Sequence, residues 1–320
     1  MAKRVFNIDF NKSLKKILIV YAAIFIAGII VAAVFGVNLD INFSGGTTIT
    51  YSFTGEISDS DIESTVKGVI KDSFTVSQST SFAGDTKTFV ISLAGKSSMS
   101  AETQASLTSA LEEKFEDNKI EIYDSNSVSP TVAGTFFAKS LVAVAITAIL
   151  VIIYVGIRFK RIGGVSAAVT ALAALVLDIF ITFFTCVFFR LQIDSNYIAV
   201  VLTILGYSLN DTIVIYDRIR ENKRFYPELE TGELVNKSIN ACMMRNIVTS
   251  LTTFLAIITI VVVAEIYGLT SLRTFAIPMA FGVISGCISS LAVSGPLWVL
   301  WIRHKEKVRA DSDKKAKSKK

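Results

Sequence analysis

The stretch Asn196 to Asn222, NYIAVVLTILGYSLNDTIVIYDRIREN, decides the class of this chain. About twenty apolar residues, enough to cross a bilayer, carry a polar knot at Ser208-Leu209-Asn210-Asp211-Thr212. The run then passes straight into Asp217-Arg218-Ile219-Arg220-Glu221-Asn222. A carboxylate inside a membrane-length helix is costly to bury, which by default makes it a functional residue.

Working outward, further apolar runs lie at about 17–37, 138–157, 164–189, 246–264 and 275–300. With the run at 197–216 they predict a polytopic α-helical membrane protein of six transmembrane helices. The 320 residues are 52% hydrophobic with a mean hydropathy of +0.55, too apolar for an ordinary soluble domain. The first run follows Lys3, Arg4, Lys12, Lys15 and Lys16. A signal peptide has an apolar core of ~7–15 residues. This run is nearer twenty, which favours a retained first span. Cys186 and Cys287 fall in spans and Cys242 in a loop, so no disulfide framework is expected. There is no nucleic-acid module, and the formal charge of +5 reads as a topology signal.

Residues 38–137 differ in character, with 14 Asp/Glu, 6 Lys and no Arg. Alternating runs at 47–53, 74–79, 86–93 and 120–125 read as strands, and 58–71 and 100–115 as helices. That order predicts an external ferredoxin-like α+β domain between helices 1 and 2. The predicted division is 1–37 (N-terminus and first helix), 38–137 (domain), 138–302 (helices 2–6) and 303–320 (basic tail). With the N-terminus inside, segments 1–16, 158–163, 217–245 and 301–320 hold 23 of the 32 Lys/Arg. The short outside loops, 190–196 and 265–274, carry one each, Arg190 and Arg273. Both termini are therefore expected in the cytoplasm and residues 38–137 outside.

Gly206 to Thr212 followed by Asp217 to Asn222 resembles the signature of the SecF members of the SecD/SecF family, within the RND superfamily. Phe43-Ser44-Gly45-Gly46-Thr47 resembles that family's FxGGT element, and Val128-Ser129-Pro130 its VGP element. Arg158-Phe159 ends the second span as in the family. The resemblance covers nearly the whole chain. There are departures: Asn42 stands where Asp is usual, Ser129 where Gly is usual, and Leu177-Asp178 where His-Asp is frequent. No span-three histidine is thus available for a proton relay. The only histidine, His304, sits at the end of the last span.

The resemblance implies an RND-type half working with a SecD-like membrane subunit beside the SecYEG translocon. Its implied role is to assist a translocating polypeptide, drawing on the proton gradient with no cofactor other than protons. It also implies that Asp211 and Arg245 carry proton coupling.

The residues can be weighed on their own. Asp211 lies ~8 Å below the inner face by helical rise, and Arg245 starts span five at that face. The two can pair. A carboxyl that gains and loses an Arg contact can take up and release a proton, and a static ion pair is the alternative. Asp178 lies ~21 Å in, ~13 Å from Asp211 along the normal, so the two acids are expected to titrate independently. Asp178 is either a further coupling group or a partner for Ser or Thr of a neighbouring helix. Ser208 and Asn210 can hydrogen-bond the Asp211 carboxyl or bridge to a partner helix. Asp217 and Arg218 are expected to form i,i+3 pairs with Arg220 and Glu221 on a helix leaving the membrane.

Gly45-Gly46 reads as a turn or as a hinge to the external domain. Gly282 and Gly286 form a GxxxG for close helix packing, within the bundle or against a partner. The lysine-rich tail from Lys314 is expected to lack structure. No catalytic or metal constellation is expected, so the chain is read as a non-enzyme. The competing readings are a small-molecule or lipid exporter half, a passive scaffold, and an intramembrane aspartyl protease using Asp178 and Asp211. The last needs two carboxylates sharing a proton at close range.

Overall fold

In the computed structural model, residues 8–71, 74–80, 87–94 and 99–317 are described. Among the described residues, six helical spans are long and apolar enough to cross a membrane. They are α1 (Phe10–Phe35), α5 (Pro130–Arg158), α6 (Gly164–Phe188), α7 (Ser195–Phe225), α8 (Thr231–Tyr267) and a continuous last span, Thr270–Ser312. That last span comprises α9 (Thr270–Ser289), a π-helical turn at Ser290–Ser294, and α10 (Gly295–Lys317). This is a multi-pass helical membrane protein.

Local chemistry sets several helix ends. Pro130 occupies the first turn of α5, where its missing N–H costs nothing, and the Ser129 hydroxyl accepts from Val132 N. Asp194 caps α7, accepting from Asn196 N at 2.9 Å and Tyr197 N at 3.2 Å. Small residues let the helices close up. A Cβ at Gly164 would stand 2.2 Å from the Gly156 carbonyl oxygen, so only glycine fits where α6 passes α5. Gly282 faces Ile204 and Thr182, and Gly286 faces Ser208. The GxxxG therefore packs inside the bundle.

Between α1 and α5 the chain forms a separate α+β unit. Its elements are β1 (Gly46–Phe53), α3 (Asp59–Val69), β2 (Phe74–Thr80), β3 (Lys87–Ala94), α4 (Ala101–Lys114) and β4 (Glu121–Val128). The strand order is β2-β3-β1-β4, with every neighbouring pair antiparallel. Alternation along β1 turns Ile49, Tyr51 and Phe53 to one face, against Ile62, Val66, Leu107 and Leu111 of the two helices. The opposite face carries hydroxyls, as in the Thr48–Ser92 contact of 3.2 Å. β4 is an edge strand, exposed nearly throughout, and the register shift at Thr50/Tyr51 makes Tyr123 a bulge residue.

A short tether joins α1 to this unit. Leu39 bridges Ile193 in parallel, with Asp40 N donating to Ile193 O and Ile193 N to Asn38 O. Arg190 donates to the carbonyls of Phe35 and Gly36 at 2.7 and 3.0 Å. The one-turn helix α2 (Ile41–Ser44) follows, capped by Asp40, and Phe43 packs on Phe136 and Phe137 of α5. Gly45 and Gly46 both take positive φ, 74° and 129°. A Cβ on Gly45 would stand 3.0 Å from Pro130 Cα. The pair thus forms a packed turn against the start of α5.

Some expectations are corrected. The segment 217–245, expected to be helical at its start, is helical over most of its length, because α7 and α8 run past the apolar stretches and meet only at 226–230. Helix propagation costs little once a span has nucleated it. For the same reason the tail is helical through Lys317 rather than unstructured. Lys3, Arg4 and residues 318–320 lie outside the described residues, as do the side chains of 313–317.

Candidate functional site

The site is assembled from the middle of α6, α7 and α8 and the last turns of α9. Asp178 on α6 is fully buried. Three serine hydroxyls donate to its carboxylate: Ser208 of α7 at 2.7 Å, Ser285 of α9 at 2.5 Å and Ser289 of α9 at 2.8 Å. Ser285 uses its one proton on Asp178, so the Tyr21 hydroxyl of α1, 3.0 Å away, donates to Ser285. Four helices therefore converge on one carboxylate. Charge-assisted hydrogen bonds of this kind are the strong ones. The π-helical turn begins directly after Ser289, and such turns occur frequently at functional sites.

Asp211 lies one turn beyond Ser208 on α7 and is 3% exposed. It is held far more loosely. Its carboxylate accepts from Ser250 of α8 at 3.3 Å, and among the described residues no second side-chain donor reaches it. Asn246 Nδ2 approaches the Asp211 backbone carbonyl at 3.5 Å. Asn246 Oδ1 and Thr212 Oγ1 are buried beside it with no hydrogen-bond partner among the described residues. The contrast is chemical: three hydroxyls satisfy the Asp178 carboxyl, while Asp211 sits among polar atoms with spare capacity.

Arg245 is not at the start of a helix but fourteen residues after Thr231, inside α8. Its side chain makes no ion pair or hydrogen bond among the described residues, so the expected Asp211–Arg245 pair is not formed in this conformation. The guanidinium instead lines a cleft of about 620 Å³ with Val214, Asp217, Arg218, Glu221 and Cys242. Cys242 thus lies on α8 rather than in a loop, and all three cysteines are free.

The remaining expectations divide. Ser208 binds Asp178 and not Asp211, because it projects from α7 toward α6 and α9. Asn210 is exposed on the opposite side of α7 and makes no contact with the Asp211 carboxyl. The ~13 Å axial separation of the two acids is too large. Asp178 bonds Ser208, three residues from Asp211 and so ~4.5 Å away in helical rise. Counting from the ends of apolar runs misplaces residues when helices extend beyond the membrane. The two carboxylates still use separate hydroxyls, Ser250 for one and Ser208, Ser285 and Ser289 for the other.

Asp217 forms the expected ion pair with Arg220 at 2.8 Å and an unexpected one with Arg158 of α5 at 3.1 Å. Arg218 pairs with Glu221 at 2.5 Å. His304 is exposed on α10.

Tyr21, Ser250, Asn246, Ser285 and Ser289 were missed by sequence reasoning. One signal was present: Ser285 and Ser289 are i,i+4 on one helix face, a spacing that aims both at a single partner. A second missed feature is the outer face of α7 and α8. Thr203, Gly206 and Asn210 on one helix, and Arg245, Thr249 and Thr252 on the other, are exposed at the level of the spans.

Comparison with known proteins bears on this architecture. Residues 107–304 match the family described as protein export membrane protein SecD/SecF, C-terminal. The chain is 32% identical to protein translocase subunit SecF of Alicyclobacillus acidocaldarius, over 92% of each chain. It is 32% identical to the corresponding subunit of Petrotoga mobilis, over 95% of this chain and 99% of that one. Against protein translocase subunit SecDF of Bacillus subtilis it is 33% identical over 92% of its own length but spans 38% of that relative. Among solved structures, SecDF of Thermus thermophilus, described as a translocon-associated membrane protein, superposes with a TM-score of 0.78 at 27% identity. That match covers 95% of this chain and 40% of the crystallised one. The family match covers more than half of the chain and the relatives are matched almost end to end, so this chain belongs to the SecD/SecF family of protein-export membrane proteins.

Proposed function

We propose that this chain is an auxiliary subunit of protein export that couples proton movement to translocation through Asp211. One observation carries the reading. A buried, loosely held carboxylate on α7 lies one helix away from an unpaired guanidinium on α8. An Asp and an Arg that are close but unpaired form two states: apart with the carboxyl protonated, or paired with it ionised. Asp178 is the second ionisable group in this reading. Its hydroxyl cage joins α1, α6, α7 and α9, so four helices would feel a change in its charge.

The partner is a SecD-like membrane subunit. The exposed polar stripe of α7 and α8 supports this, since Arg245 and Asn210 are costly against lipid and acceptable against protein or enclosed water. The fused relative and the SecDF structure, in which this chain matches 38% and 40% of the length, point the same way. SecYEG and the translocating polypeptide complete the assembly. In the proposed orientation both termini and the basic helix ends face the cytoplasm, as the Lys/Arg bias requires. The sheet unit, from β1 to β4, is then external and ferredoxin-like, supported by its strand order β2-β3-β1-β4 and its two helices.

A mechanical route exists for the coupling. Asp211 is on α7, Asp194 caps α7, and the adjoining Ile193 and Arg190 bind the tether that leads into β1. A shift of α7 would thus reach the sheet unit through short, hydrogen-bonded backbone. The exposed edge strand β4 offers unpaired backbone groups to an extended polypeptide.

The test is Asp211→Asn, co-expressed with the SecD-like subunit and followed by pulse–chase of exported precursors. The gradient-dependent part of export should disappear while the two subunits still copurify. Undiminished export would reduce the chain to an anchored adaptor.

A further inference from the structure

We propose a headgroup site for an anionic phospholipid at the basic end of the bundle, where α5 turns into α6 beside the extension of α7. A cleft of about 550 Å³ there is lined by Ile157, Arg158, Lys160, Arg161, Arg220 and Arg224. Five of its six lining residues are cationic. The one carboxylate engaging them is Asp217, which pairs with Arg158 and Arg220. Among the described residues, Lys160, Arg161 and Arg224 have no ion pair and no hydrogen-bond partner, so three full charges converge without compensation. Like charges brought together cost free energy unless a counter-charge joins them.

Topology signalling accounts for positive residues near this end but not for their convergence. The Gly163 turn, with φ of 108°, and the 3-10 turn Lys160–Ile162 place two of these cations in one cleft with Arg220 and Arg224 of α7. Phe159 and Ile162 are buried on either side and anchor that turn, which leaves Lys160 and Arg161 exposed. Arg218 and Glu221 neutralise one another on the neighbouring part of α7, in contrast to Arg224.

The position selects the ligand. The cleft begins at the last residue of α5, where the apolar span ends, and Ile157 is 71% exposed. Ile153, one turn earlier, is also exposed. An acyl chain can lie along these two side chains while its phosphate meets the guanidinium groups, which bind phosphate oxygens in bidentate fashion. Basic pockets between transmembrane helices are a known mode of anionic headgroup recognition. An RNA or an acidic protein segment would match the charge but not the exposed isoleucines. The site is separate from Asp211 and does not depend on the proton-coupling reading.

The experiment is native mass spectrometry of the full chain in mild detergent, with added dioleoyl-phosphatidylglycerol or dioleoyl-phosphatidylcholine. The native chain should retain phosphatidylglycerol over phosphatidylcholine by about tenfold. The triple variant Lys160→Gln, Arg161→Gln, Arg224→Gln should lose that preference, and each single variant should lose part of it. The control Lys305→Gln, Lys307→Gln, Arg309→Gln, at the same end of the bundle, should keep it. Retention by the triple variant, or equal retention of the two lipids, would overturn the proposal. Displacement by inorganic phosphate would assign a free-anion site instead, and displacement by a short single-stranded RNA a nucleic-acid contact; either result rejects the lipid.

Discussion

Gly286→Ala probes how α9 and α7 set the Asp178 cage. A Cβ at 286 would stand 2.9 Å from Ser208 Cβ, 3.1 Å from its Oγ and 3.5 Å from its Cα. Two of these atoms are at or next to the backbone, so no rotamer change relieves the contact and α9 and α7 must separate. Overpacking of this kind costs ~1–3 kcal/mol. The separation also stretches the Ser208–Asp178 hydrogen bond, 2.7 Å in the native chain. Hydrogen bonds to a charged group contribute ~1.5–3 kcal/mol. Since that bond is strained rather than abolished, the sum expected is ~2–4 kcal/mol. The assay is SDS-driven unfolding in mixed micelles, read by tryptophan fluorescence in a Trp301→Phe background, so that the signal comes from Trp298, which is buried and bonded to Ser166. Gly206→Ala on the other side of α7 is the control. Nothing lies within 4 Å of its would-be Cβ, and the helix gains ~0.5–1 kcal/mol from losing a glycine. The variant Ser208→Gly removes the obstructing atoms, so the double variant with Gly286→Ala should show a coupling of about 1 kcal/mol or more. Neutral behaviour of Gly286→Ala, or simple additivity with Ser208→Gly, would refute the reasoning.

Ser289→Ala removes one of three donors to Asp178 and should destabilise the bundle by ~1–3 kcal/mol, measured in the same micelle titration. Arg190→Ala deletes the two carbonyl contacts that hold the tether after α1, and should speed limited proteolysis within residues 36–45 while leaving the helical spectrum unchanged. Orientation is open to cysteine labelling in intact cells. Tyr123→Cys on the exposed edge strand should react with a membrane-impermeant maleimide and Lys307→Cys should not; the reverse pattern would invert the proposed topology.

Much of the fold is legible in the sequence because the bilayer imposes a length and an apolarity that few other structures need. The six runs follow from length and apolarity, and the strand–helix order of 38–137 from periodicity. Helix ends are less legible. α7 and α8 continue through charged residues whose own propensity is compatible with helix, so hydropathy ends before the helix does. That error displaced Arg245 and exaggerated the gap between Asp178 and Asp211. Of the candidate site, Asp211 was legible because a lone acid in a span is conspicuous. Its Ser250 partner was not, since a serine among apolar residues has no distinctive pattern. Ser285 and Ser289 flank the Gly282–Gly286 packing motif, and close approach of α9 is what lets both hydroxyls reach Asp178.

The central claim concerns the charge on one side chain. Translocation should be followed in proteoliposomes containing this chain, its SecD-like partner and the translocon, with an imposed proton gradient and the ATP-driven stage completed beforehand. The account predicts that the gradient advances stalled polypeptide in native vesicles, less well with Asp211→Glu, and not at all with Asp211→Asn. Equal advance with Asp211→Asn would contradict it.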